Sequence, residues 1–114
     1  MNEQEILSSW DESIGLLDCY EPLLSSSQQE TLRQYFRFNL SLSEIAEEKG
    51  ISRAAAFDAL KKGVAKLHYY EEKLGLNRKN KAVHDYLEML NNAADIQEIK
   101  KEAAHLKEAF DDGI

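Results

Sequence analysis

The stretch from Leu40 to Leu60, LSLSEIAEEKGISRAAAFDAL, leaves the chain the least freedom in what it folds into. Ser41 stands three residues before Glu44, the spacing of a capping box, in which the serine oxygen accepts an orphan amide and the glutamate reaches back to the cap. A helix therefore opens at Leu42. Ile45 and Ala46 face inward, and Gly50 falls where a short helix ends on a residue free to take positive φ. Ile51 continues the core, and Ser52 caps a second helix beginning at Arg53. The small Ala46 lets that second helix cross closely, at roughly 90 to 120°, so the stretch is predicted to be a helix-turn-helix.

The flanking sequence extends this into an all-α chain. Ile6, Trp10, Ile14 and Leu17 form the apolar stripe of a first helix over residues 4 to 20, which Pro22 ends or kinks near Tyr20. Ser25 with Gln28, or Ser27 with Glu30, opens a second helix whose buried face is Leu32, Tyr35 and Phe36 and whose pattern fades around Asn39. After the turn at Gly50, Ala56, Leu60, Val64, Leu67 and Leu74 carry one inward stripe to Gly75, a C-terminal cap with Leu76 folding back over it. Gly63 lies inside this long helix, where close packing of a neighbour is its expected use.

NRKNK, residues 77 to 81, reads as a polar hinge. Beyond it Val83, Tyr86, Leu87 and Leu90 form one stripe, and Ile96, Ile99, Ala103, Leu106 and Phe110 form a short heptad seam. Two C-terminal helices are expected, docking on the core or on a second copy of the chain, with the terminal DDGI frayed. The predicted organisation is a four-helix helix-turn-helix domain over residues 1–76 and a helical pair over residues 77–114.

A chain of 114 residues can bury one modest core and has no room for a separate catalytic domain. Its apolar runs are too short to span a membrane, and MNEQE lacks the basic, apolar start of a signal peptide, so a cytoplasmic protein is expected. Cys19 has no second cysteine to pair with and no cationic neighbour to activate it, and in LLDCY it reads as a small core residue. No glycine-rich phosphate loop occurs, and His68, His84 and His105 lack another His or Cys at metal-ligand spacing. The acidic pairs Glu47–Glu48 and Glu71–Glu72 read as solvated helix faces. No catalytic residue, metal or cofactor is expected, and the chain is read as non-enzymatic.

Net charge sets the functional question. At -7 the chain repels a nucleic-acid backbone at long range, whereas non-specific affinity for DNA or RNA comes from cations that release counterions. Residues 51–70 run against the trend, with Arg53, Lys61, Lys62 and Lys66 against the single acid Asp58. If the second helix of the motif enters a major groove, Arg53, Ala54, Phe57, Asp58 and Lys61 are the readers, with Lys62 and Lys66 extending the basic, nucleic-acid-binding face. Arg53 suits guanine or a phosphate, and Ala54 a thymine methyl. Phe57 has two readings, an exposed anchor for protein or unpaired bases and a residue buried against the C-terminal helices. Asp58 either meets a cytosine amine or pairs with Lys61 or Lys62, and Arg53 either reads a ligand or simply starts a helix.

The run LLDCYEPLL, SSSQQETLRQYFRFNLSLSEIAEE, ISRAAAFDALKK and YYEEKLGL, from Leu16 to Leu76, resembles the YlxM family of small bacterial helix-turn-helix proteins. SLSEIAEE followed by Ser52 and Arg53 carries the resemblance most specifically. It implies an all-helical fold similar to the fourth region of bacterial sigma factors, and a link to the signal recognition particle pathway, whose components are then expected partners. After Ser-Arg the family pattern continues Gln, Ala, Val, Tyr, Asp, Asn, where this chain has Ala54, Ala55, Ala56, Phe57, Asp58 and Ala59. Two polar groups are thereby absent from the reading positions. The expected function is a nucleic-acid-binding or regulatory adaptor, with a protein-interaction module on the same scaffold as the alternative and a homodimer through the C-terminal helices as its possible assembly.

Overall fold

The computed structural model describes residues 1–92 and 96–111. It is all-α, in the order α1 (Glu3–Ser8), α2 (Trp10–Tyr20), a 3-10 turn (Glu21–Leu23), α3 (Ser26–Leu32) running on into a π-helical turn (Arg33–Arg37), α4 (Leu42–Lys49), α5 (Arg53–Leu74), α6 (Leu76–Asn92) and α7 (Ile96–Asp111). The chain divides into two compact units, Met1–Tyr70 and Glu71–Ile114.

In the first unit local chemistry sets the elements. Ser41 and Glu44 form the capping box, with Glu44 N donating to Ser41 Oγ at 3.1 Å and Ser41 N to Glu44 Oε1 at 3.0 Å. Gly50 ends α4 at φ 68°, and Ser52 Oγ accepts from Ala55 N at 3.0 Å to cap α5, but Ile51 between them is exposed and does not continue the core. Of the two boxes offered for α3, Ser25 with Gln28 is the one formed. Pro22 sits in the 3-10 turn that stops α2 at Tyr20. Ile6, Leu16, Leu17 and Tyr20 pack with Leu32, Tyr35 and Phe36, with Leu42, Ile45 and Ala46, and with Ala56, Leu60, Val64 and Leu67 of α5. Gly63 is buried there, and a Cβ in its place would lie 3.0 Å from Leu32 Cδ2, so α5 meets Leu32 at a distance that suits glycine. Cys19 is a half-buried neighbour of this core.

Three departures from the expected elements have visible causes. The single helix over residues 4 to 20 is two, because Ser8 Oγ and Ser9 Oγ both donate to the Glu5 carbonyl, at 2.9 and 3.0 Å, and compete with the helical ladder at their junction. Trp10 and Ile14 are only half-buried against the core, while Leu16 and Tyr20 are fully buried. The second departure is the π turn, where Phe38 N donates to Arg33 O and Leu40 N to Gln34 O, at 3.0 and 2.9 Å. Asn39 then reverses the chain at φ 56°. An ion-pair cluster fastens the turn to the end of α2: Arg33 and Arg37 both meet Glu21, and Arg37 also meets Asp18 at 2.9 Å.

The third departure is at the expected hinge. NRKNK is helical, the first turns of α6. Gly75 turns at φ 65°, and the Glu71 carboxylate accepts from Asn77 N and Arg78 N at 3.1 and 3.2 Å, capping α6 from the last turn of α5. Leu76 opens α6 and is 41% exposed, and Leu74, expected on the inward stripe, is exposed as well. In the second unit α6 packs along α7, with Ala82, Tyr86 and Met89 facing Leu106 and Ala109 across a shallow groove. The expected seam is therefore only partly engaged: Leu106 is half-buried, but Ile96 is 70% exposed, and Ile99, Ala103, Phe110 and, on α6, Leu87 are exposed too. Of the expected frayed end, only Asp111 lies within the described residues. No helix among the described residues is long and apolar enough to cross a membrane.

Candidate nucleic-acid interface

All six candidate residues, Arg53, Ala54, Phe57, Lys61, Lys62 and Lys66, lie on α5. They do not share one face. At 3.6 residues per turn, Arg53, Phe57 and Lys61 follow one flank, Ala54, Asp58 and Lys62 the middle, and Lys66 the opposite flank, roughly 220° around from Arg53 and about 20 Å along the axis. Ala56, Leu60, Gly63, Val64 and Leu67 on the remaining side are buried, so the helix presents its whole outer surface.

Each side chain has its own neighbours. Arg53 Nη2 donates to Glu3 Oε2 on α1 at 2.8 Å, and both side chains keep substantial exposure. Tyr35 lies in the same field: its hydroxyl pKa is raised, chiefly by burial and then by the Glu3 charge, with Arg53 pulling it back. Phe57 is half-buried against the core of its own unit, and Lys61 Nζ sits 4.9 Å from its ring centroid. Lys62 Nζ meets Asp58 Oδ2 at 2.9 Å, which holds the Asp58 carboxyl below its ordinary value and the lysine above its own. Asp58 is thus the partner of Lys62. Lys66 Nζ stands 5.6 Å from the rings of both Tyr69 and Tyr70. Tyr70 is anchored by its hydroxyl on the Leu23 carbonyl at 3.2 Å and by its ring against Tyr20. Ala54 is exposed.

The surface therefore offers two ready cations, Lys61 and Lys66, each beside an aromatic ring, and two that are already matched to a carboxylate, Arg53 and Lys62. Sequence reasoning missed Glu3 as the partner of Arg53, because the two are 50 residues apart and nothing local links them. It also missed the tyrosines beside Lys66, although their spacing of three and four residues was the available signal. Among the described residues no group of three or more His, Cys, Asp or Glu is arranged to hold a metal ion.

Comparison with known proteins bears on this geometry. The model of the YlxM / p13-like helix-turn-helix protein family matches residues 10–107. A UPF0122 protein of Fusobacterium nucleatum is 40% identical over 105 residues, covering 92% of this chain and 86% of that protein. One from Halalkalibacterium halodurans is 38% identical, covering 84% and 88%. The YlxM protein of Bacillus subtilis is 36% identical over 96 residues, covering 84% of this chain and 87% of its own.

Proposed function

Because the chain belongs to the YlxM / p13-like helix-turn-helix family, we propose that it is a non-enzymatic, nucleic-acid-binding regulatory adaptor that uses the outer surface of α5. The observation that carries this reading is the gathering of Arg53, Lys61, Lys62 and Lys66 on the outer side of one helix in a chain of net charge -7. Lys61 and Lys66 take phosphates directly; Lys62 and Arg53 do so by exchanging Asp58 and Glu3 for a phosphate. Base reading rests on Arg53 alone, with Ala54 against a thymine methyl. One good base contact supplies about 1 to 3 kcal/mol of discrimination, whereas specific recognition draws on about 4 to 10. A single copy therefore binds with little sequence preference. From the family resemblance we further propose that its setting is the signal recognition particle pathway, with the targeting RNA or its protein subunit as partner.

The test is salt dependence. Affinity for duplex DNA or a structured RNA hairpin is expected to fall steeply as salt rises, and Arg53→Glu with Lys61→Glu is expected to abolish it. Binding at wild-type strength by that double variant would remove the role given to α5.

A second reading is a protein-interaction module that keeps the scaffold and binds no nucleic acid. It is favoured by the carboxylates already on Arg53 and Lys62, and by the exposed apolar residues of α6 and α7, which also suit a homodimer.

A further inference from the structure

We propose that a second site, away from α5, receives an arginine side chain presented by a partner protein. It is a cavity of about 360 Å³ lined by Glu30 of α3, Arg33 and Gln34 of the π turn, Phe38 and Leu40 of the following loop, and Glu48 of α4. No residue of α5 contributes to it, so it stands or falls independently of the nucleic-acid reading.

Three features define what fits. Gln34 is only 5% exposed, lines the cavity, and its Oε1 has no donor among the described residues. A buried acceptor without a donor is a standing penalty, which a ligand bringing an N–H relieves. The last torsion of a glutamine is soft, so the amide can turn its oxygen toward an incoming donor. Next, Glu30 and Glu48 are exposed and form no ion pair among the described residues, while the one cation in the wall, Arg33, is already matched to Glu21. The cavity is therefore electronegative and repels phosphate, so nucleic acids and anionic lipids are poor occupants. Finally, Phe38 is 67% exposed and Leu40 half-buried beside it, an apolar surface at the wall of a polar cavity.

A guanidinium matches all three. It brings several N–H donors on a rigid plane, pairs with carboxylates, and stacks on an aromatic face with less loss of hydration than an ammonium. Phe38 extends the apolar surface further than a free amine would cover, so the arginine is expected to arrive flanked by apolar residues of a polypeptide.

The experiment titrates the full ¹⁵N-labelled chain with three probes: acetyl-Leu-Arg-Leu-amide, the same peptide with neutral, isosteric citrulline for arginine, and arginine amide alone. The arginine peptide is expected to shift the Gln34 side-chain amide and the backbone signals of Glu30, Phe38, Leu40 and Glu48. Citrulline should bind about tenfold more weakly or worse, the weight of a charge-assisted hydrogen bond. Glu48→Gln and Gln34→Leu should each weaken the arginine peptide by a similar factor, whereas Glu47→Gln, which removes the same charge outside the cavity, should not. Glu48→Gln alters only an exposed side chain, so it keeps the test open should Gln34→Leu disturb the fold. Equal binding by citrulline, shifts spread over the acidic surface, or equal weakening by Glu47→Gln would overturn the site. Arginine amide binding as tightly as the peptide would overturn the protein partner.

Discussion

Arg53 and Glu3 meet at 2.8 Å while both remain open to solvent, which makes the pair a weak tether. Exposed ion pairs contribute about 0 to 1 kcal/mol, and a phosphate can replace the carboxylate at little cost. Glu3→Gln should therefore raise affinity for a nucleic-acid probe about two- to fivefold at low salt, with the gain shrinking as salt is added. Fluorescence anisotropy across a salt series measures it, and unchanged affinity would mean Arg53 does not touch the ligand. Arg53 was legible in the sequence as the start of a helix and as a candidate reader. Its pairing was not, since a contact across 50 residues depends on how α1 packs, and α1 itself is set off from α2 by a serine pair that carries no apolar signal.

Among the elements, those fixed by chemistry three or four residues apart could be read in advance. The capping box of α4, the positive φ of Gly50 and the Ser52 cap are all of this kind, whereas the close approach at Gly63 was legible only as a glycine inside a helix, its neighbour Leu32 lying on another element. The α4 cap also has a pH dependence. The Glu44 carboxylate accepts from the backbone N–H of Ser41 and itself lies near the serine hydroxyl, and these hydrogen bonds hold its pKa below the ordinary 4.5. A depressed carboxyl pKa gives stability that is present above the unfolded value and lost as pH falls through the folded one. Titration of the Glu44 carboxyl by NMR is therefore expected to give a midpoint below 4.5, with the Ser41 amide proton shift moving over the same interval as its acceptor is protonated. Glu44→Gln should remove that pH dependence. The π turn and the start of α6 were not legible for a different reason. A π turn has no distinct residue pattern, and NRKNK looks like a linker by composition, while its helical state is helped by a carboxylate on the preceding helix.

At the scale of the molecule, the family and all-α class were legible because they rest on local punctuation summed over the chain. The use of the heptad seam was not, because apolar spacing says that a face is covered and leaves open by what. Ile96 and Ile99 remain exposed after α6 and α7 have packed together. If a second copy covers them, Ile96→Asp with Ile99→Asp should lower the mass seen by light scattering from dimer to monomer and leave helicity by circular dichroism unchanged. A wild type that is already monomeric would leave that face to another partner. The Arg53–Glu3 tether has one more consequence, which is reciprocal. If nucleic acid displaces Glu3, then binding and the docking of the N-terminus are thermodynamically linked, and whatever steadies one loosens the other by the same free energy. Ile6 is fully buried and keeps the rest of α1 in place, so the loosening is confined to the first turn, and the N-terminal amides become a built-in gauge of whether α5 is occupied.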